Sequence, residues 1–221
     1  MMIKENILKI KEELPSAVKL VAVSKFHPVS ELMEAYEAGQ RRFGENRPQE
    51  FAEKVPRLPS DVEWHFIGHL QTNKLKLVLP YAYMVQSVDS LHLLQSVEAW
   101  LTANPVRKEP LRVLLEMHLG AEETKHGMSE EEICGILLEA SKYPHVSFCG
   151  LMGMATNTDD QERIRSDFER IASFREKVAA TYPDLPLNEL SIGMSNDWRI
   201  AVGCGATIVR IGTAIFGPRE Y

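Results

Sequence analysis

Short β-rich runs alternate with longer segments of helical period along almost the whole chain, and no other property restricts its fold as much. Strand-then-helix order, repeated, makes a parallel sheet with crossover helices, because parallel neighbours can be joined only by a connection that returns over a sheet face. The runs read as strands are 20–24, 42–44, 64–67, 82–87, 111–117, 147–151, 188–192 and 208–211. Among them Leu-Val-Ala-Val and Arg-Val-Leu-Leu are nearly continuous apolar stretches, as strands covered on both faces require. Eight such units in 221 residues predict an α/β chain with one domain over residues 1–221, a (β/α)8 TIM-type barrel. An open doubly wound sheet, binding its ligand at a switch point, is the alternative.

The intervening helices carry their own signals. Ser129 and Glu132 form an S-x-x-E capping box ahead of Ile133, Ile136, Leu137 and Ala140, which repeat on one face. Further stripes are Leu91, Leu94, Val97 and Leu101, and Ile164, Phe168, Ile171, Phe174 and Val178. Asp89 is read as the cap of the helix that follows it. Leu32, Ala35 and Tyr36 end at Gly39, which suits a left-handed cap. Residues 3 to 14 predict an extra amphipathic helix ahead of the first strand. No Gly/Ser-rich linker, low-complexity tract or repeat breaks the series.

Several function classes are excluded by bulk properties. The net charge of −6 is spread along the chain and no basic stripe is present, which argues against nucleic acid as the main partner. No apolar run approaches the roughly 20 residues of a membrane span. The start, Met-Met-Ile-Lys-Glu-Asn, lacks the apolar core of an export signal, so a cytoplasmic protein is expected. Cys134, Cys149 and Cys204 are odd in number and widely spaced, fitting reduced thiols that pack as small apolar residues. His65 and His69 flank a strand end with no third ligand, so no metal is expected.

In a barrel the residues just after each strand line one mouth, so polar residues there are the candidates for chemistry. After the first strand comes Ser24-Lys25-Phe26-His27-Pro28. A lysine abutting an apolar strand is either desolvated, with a lowered pKa and a nucleophilic amine suited to a Schiff base, or snorkels to solvent. After the seventh and eighth strands come Ser191-Ile192-Gly193-Met194-Ser195-Asn196-Asp197 and Arg210-Ile211-Gly212-Thr213-Ala214. Small and hydroxylated residues there, with a helix beginning near Ser195, suit a phosphate held by backbone N–H groups, although Ser195 would also serve as a plain cap. Asn46 follows the second strand and has the groups to hydrogen-bond a ligand ring. Met152 and Met154, after the sixth, read as core or pocket wall.

These features resemble the YggS/PROSC family of pyridoxal 5'-phosphate (PLP) homeostasis proteins. The likeness runs through nearly the whole chain. It rests on Val21-Ala22-Val23-Ser24-Lys25, Phe43-Gly44-Glu45-Asn46, Trp64-His65-Phe66-Ile67-Gly68-His69-Leu70-Gln71 with Asn73-Lys74, Glu122-Glu123-Thr124-Lys125 with Gly127, Gly150-Leu151-Met152 and Gly193-Met194-Ser195. The resemblance implies a PLP fold-type III barrel like the alanine racemase N-terminal domain. It implies PLP as a Schiff base on Lys25, with Asn46 and Met152 beside the ring and Arg210 facing the pyridine nitrogen. Ser191, Gly193, Met194, Ser195, Gly212 and Thr213 would surround the phosphate. Two departures are visible: Ile192 where the family usually has methionine, and Arg47 where an aromatic residue often follows G-E-N.

An arginine at the ring nitrogen keeps the ring unprotonated and weakens it as an electron sink, which argues against a transaminase. A racemase tolerates that arginine, but it resembles a two-domain dimer, and this chain ends at Tyr221 just beyond the last strand. The expectation is therefore a monomeric PLP carrier that supplies apo-enzymes without robust turnover. A PLP-dependent amino-acid racemase is the alternative, and a Schiff-base aldolase a third. Whether Lys125, in an exposed-looking loop, forms a second, weaker PLP site is not decided by the sequence.

Overall fold

The computed structural model describes residues 3–120 and 127–218. Its core is a closed parallel barrel of eight strands in sequence order, the eighth pairing with the first. The strands are β1 (Lys19–Val23), β2 (Arg42–Glu45), β3 (Glu63–Phe66), β4 (Met84–Val88), β5 (Leu111–Glu116), β6 (Val146–Met152), β7 (Glu189–Ser191) and β8 (Ile208–Ile211). All eight sequence-predicted strands are present, with ends shifted by a residue or two. The helices are α1 (Ile3–Glu13), α2 (Val29–Glu37), α3 (Pro48–Lys54), α4 (Leu75–Val78), α5 (Leu91–Ala103), α6 (Glu130–Leu138), α7 (Gln161–Thr181), α8 (Trp198–Gly203) and α9 (Thr213–Phe216). The α1 helix is the expected extra element, burying Ile3, Ile7 and Ile10.

Two separate apolar layers follow from the alternation of side chains along each strand. A large outer core joins the strands to the helices, with Phe43, Phe51, Phe66, Phe148 and Phe168 fully enclosed. A small inner one, Val21, Met84, Leu114, Cys149, Met152 and Ile208, fills the barrel itself. The barrel interior also holds polar groups, a point that governs the chemistry below.

Local signals hold at several places and fail at others. The Ser129–Glu132 capping box forms in both directions, and Gly39 takes φ +83 after α2. The cap of α5, however, is Ser90, whose Oγ accepts from Leu93 N, while the Asp89 carboxylate is drawn to His69 Nδ1 at 2.7 Å. Leu91 lies at the solvent end of that helix and is exposed, and Leu93 takes its place in the core. The α6 helix stops at Leu138, leaving Ala140 in a 3-10 turn. The helix after β7 begins at Trp198 rather than near Ser195.

Gly150, in the middle of β6, sits where the pairing with β5 shifts register and has φ +149. A Cβ there would lie 1.9 Å from the carbonyl oxygen of Glu189. That oxygen is backbone in the neighbouring strand and cannot move aside. Gly150→Ala is expected to destabilise the barrel by roughly 3 kcal/mol or more, read from the urea midpoint. A midpoint equal to the parent's would show that the two strands are not in this contact.

Candidate functional site

The lysine turn is built from buried polar contacts at the C-terminal end of β1. Lys25 is half-buried, and the next residue, Phe26, is the one non-glycine with positive φ (+69) among the described residues. That conformation is held from three sides. Phe26 N donates to Glu50 Oε1 at 2.7 Å, His27 N donates to Ser24 O at 3.1 Å, and the Arg47 guanidinium lies 4.3 Å over the Phe26 ring. The His27 ring stacks on Phe216 of α9 at 4.8 Å.

Beneath the turn, the buried Lys54 ammonium donates to Ser24 O, Glu45 Oε1 and Glu50 Oε1 at 2.6–2.7 Å. Ser24 Oγ also donates to Glu45. Burial pushes the Glu45 carboxyl above its usual range, against the pull of Lys54. Left-handed backbone at a bulky residue costs on the order of 1–3 kcal/mol and persists only where the surroundings impose it. The Ser24–Glu45–Lys54–Glu50 network imposes it here, and thereby sets where the Lys25 stem leaves the barrel wall.

Across the mouth, the loops after β7 and β8 are tied to one another. Ser195 Oγ accepts from Gly212 N at 3.3 Å and from Ala214 N at 3.4 Å, so its role is to bridge the loops and not to cap α8. Gly193 has φ +88, and a Cβ on it would lie 2.6 Å from the Ala201 side chain. At Gly212 a Cβ would lie 3.1 Å from the carbonyl oxygen of Val23, which places this loop against the strand that leads into Lys25. Met194 and Thr213 are exposed, Ser195 and Gly212 half-buried. The two loops form a cup of mostly small residues, buried at Ser191 and Gly193 and exposed at Met194 and Thr213.

Arg210 closes the floor. It is 4% exposed, and its Nη1 donates to Ser191 O and Oγ at 2.7 and 2.6 Å while Nη2 donates to Gly153 O at 3.0 Å. Burial lowers its pKa to about 10, which still leaves it protonated at neutral pH. Among the described residues, three of its five N–H donors are spent on the protein. Met152 is buried in the inner apolar layer, whereas Met154 is exposed. Asn46 follows β2 with a buried Oδ1 that has no partner among the described residues, and its backbone is pressed against Gly68, where a Cβ would lie 2.2 Å from Asn46 O.

Sequence reasoning alone misses Glu116, the last residue of β5, although the strand-end rule applies to it equally. It is 4% exposed, and burial raises its pKa to about 7, reinforced by the nearby Asp89 and opposed by Arg210 and His69. It also misses His65 and Gln86 as interior residues; the signal that could have found them is a polar side chain inside an otherwise apolar strand. Lys125 and the rest of Glu122-Glu123-Thr124-Lys125 lie outside the described residues, as does Tyr221.

Comparison with known proteins agrees with this geometry. The family model for the alanine racemase N-terminal domain matches residues 2–220. The pyridoxal phosphate homeostasis protein of Pasteurella multocida is 37% identical over 234 residues, covering 100% of this chain and 99% of that one. The solved structure of PipY from Synechococcus elongatus with PLP bound superposes with a TM-score of 0.89 at 34% identity, covering 97% of this chain and 100% of the other. Alanine racemase from E.faecalis shares the fold alone: TM-score 0.75 at 20% identity, with this chain spanning 58% of its length. A full-length match at this identity, together with the barrel, its strand-end lysine and its two tied loops, means that the chain belongs to the pyridoxal phosphate homeostasis protein family, within the alanine racemase N-terminal-domain barrels.

Proposed function

We propose that the protein binds PLP at the C-terminal mouth of the barrel, linked as a Schiff base to Lys25, and serves PLP homeostasis by passing the cofactor to apo-enzymes. The observation that carries this reading is the convergence on one mouth of the Lys25 turn, the Ser195-bridged loops and the buried Arg210. The residues present suit the group. The loops carrying Ser191, Gly193, Met194, Ser195, Gly212 and Thr213 bring small and hydroxylated residues together at one mouth, as a phosphate needs, and Asn46 brings a buried oxygen with no partner among the described residues. Bound PLP supplies an aldehyde and an electron-withdrawing ring.

The chain's own residues restrain that ring's chemistry. Arg210 is cationic and donor-only, so it hydrogen-bonds a ring nitrogen without protonating it and supports carbanion chemistry poorly. A carrier needs the remaining functions: to hold the phosphate, orient the ring and mask the aldehyde. The relatives' shared name is consistent with that role, and the Arg210 contacts support it over a transaminase.

Titration with PLP is expected to produce a visible imine band that borohydride abolishes, with the reduced adduct mapping to the peptide containing Lys25. Incubation with L-amino acids is expected to release cofactor without sustained product. An adduct mapping elsewhere would overturn the Lys25 assignment, and steady racemisation would overturn the carrier role.

A further inference from the structure

The opposite, N-terminal mouth of the barrel holds a second polar pocket of about 150 Å³, lined by Lys19, Arg42, Arg112, His65, Tyr83 and Cys149 among others. Its charge is predominantly positive. Lys19 pairs with Glu189 and Arg42 with Glu63, but Arg112 makes no ion pair among the described residues and lies 4.7 Å over the Tyr83 ring. Asn188 and Glu189 complete its polar wall.

The decisive group is His65, only 1% exposed, whose Nε2 has no hydrogen-bond partner among the described residues. Its protonation follows from a chain of contacts through the barrel. Arg210 can only donate, so Ser191 Oγ accepts from it and passes its own proton to Gln86 Oε1 at 2.7 Å. Gln86 must then present its amide, and Nε2 donates to His65 Nδ1 at 2.8 Å. Burial, with Arg42 and Lys19 nearby, holds the imidazole neutral, its pKa lowered to about 3. The single ring proton therefore sits on Nε2, the edge away from Gln86. A buried N–H without an acceptor costs about 1–3 kcal/mol, and native interiors rarely leave one unmet.

We propose that this N-terminal pocket is a binding site for a small tetrahedral oxyanion, held by the His65 Nε2–H donor and the Arg112 guanidinium, with Arg42 and Lys19 at its rim. The chemistry matches on three counts: one neutral buried donor, one guanidinium with no hydrogen bond or ion pair among the described residues, and an excess of positive charge. The volume, about five waters' worth, admits a phosphate-sized ion. The pocket shares no lining residue with the upper cup, although the Arg210–Ser191–Gln86–His65 chain runs between them.

The test is titration of PLP-loaded protein with inorganic phosphate, followed by nuclear magnetic resonance of the histidine ring nitrogens and the backbone amides. A saturable shift of the His65 Nε2–H signal is expected, with a dissociation constant on the order of 1 mM. Arg112→Gln and, separately, Arg42→Gln should each weaken it, the first about tenfold, with the Ser195 and Gly212 amides unmoved. The site is overturned by no saturable response at His65, or by one that both variants leave unchanged. A response confined to Ser195 and Gly212 would equally overturn it, since that places the ion in the upper cup.

Discussion

Lys25→Ala should lose the visible imine band entirely and retain PLP at least about a hundredfold less firmly than the parent, measured by dialysis against buffer. The size of the effect follows from what the side chain contributes. The cup and Arg210 offer only reversible polar contacts, several of them half-exposed, whereas the amine offers a covalent bond. The fold should survive, because the turn is held by Phe26 N on Glu50, His27 N on Ser24 and the Lys54 network, none of which uses the Lys25 side chain. A variant that folds, stays yellow and keeps its cofactor as firmly as the parent would refute the Schiff-base assignment while leaving the barrel and family intact.

The second large effect concerns pH, because two buried groups in the barrel titrate with opposite consequences. His65 has its pKa lowered from 6.5 to about 3. The unfolded chain takes up that proton first as pH falls, so the stability that neutral His65 contributes is present above pH 6.5 and is lost on the way down toward 3. Glu116 has its pKa raised from 4.5 to about 7. Here the folded protein keeps the proton longer, so its contribution is full below pH 4.5 and is lost as pH rises to about 7. A tenfold change in proton affinity is worth about 1.36 kcal/mol, so Glu116 accounts for about 3 kcal/mol.

Between pH 4.5 and 6.5 these two dependences offset one another. Glu116→Gln removes one of them. Relative to the parent, the cofactor-free variant should gain about 3 kcal/mol of stability on going from pH 4.5 to pH 8, seen as a widening gap between urea midpoints. Parallel curves for the two proteins would show that Glu116 ionises normally in the folded state.

Much of the site is legible in the chain because its parts sit at strand ends, and strand ends are visible in a pattern of apolar runs. Lys25 just beyond Leu-Val-Ala-Val-Ser and the two glycine-bearing segments after β7 and β8 are local facts of the chain. Glu116 is equally local yet escapes such a reading, since a glutamate closing a strand looks like surface until its burial is known. The role of Ser195 cannot be read locally. A serine four residues beyond a strand resembles a cap, and only the approach of the β8 loop shows that its hydroxyl serves Gly212 and Ala214. Asp89 departs from expectation for the same reason: His69, twenty residues away in sequence, competes for it.

What the sequence determined alone was the alternation of strand and helix, and with it the barrel, its single lysine-bearing strand end and the family. Periodicity is set by neighbouring residues, which is why it survives without coordinates. What only the tertiary structure decided was how polar groups are satisfied inside the barrel: Lys54 clasping Glu45 and Glu50 beneath the strained Phe26, and the Arg210–Ser191–Gln86–His65 chain that leaves His65 Nε2 without a partner among the described residues. Such contacts join residues up to 105 positions apart, and a hydrogen bond depends on distance in space, which no one-dimensional pattern encodes.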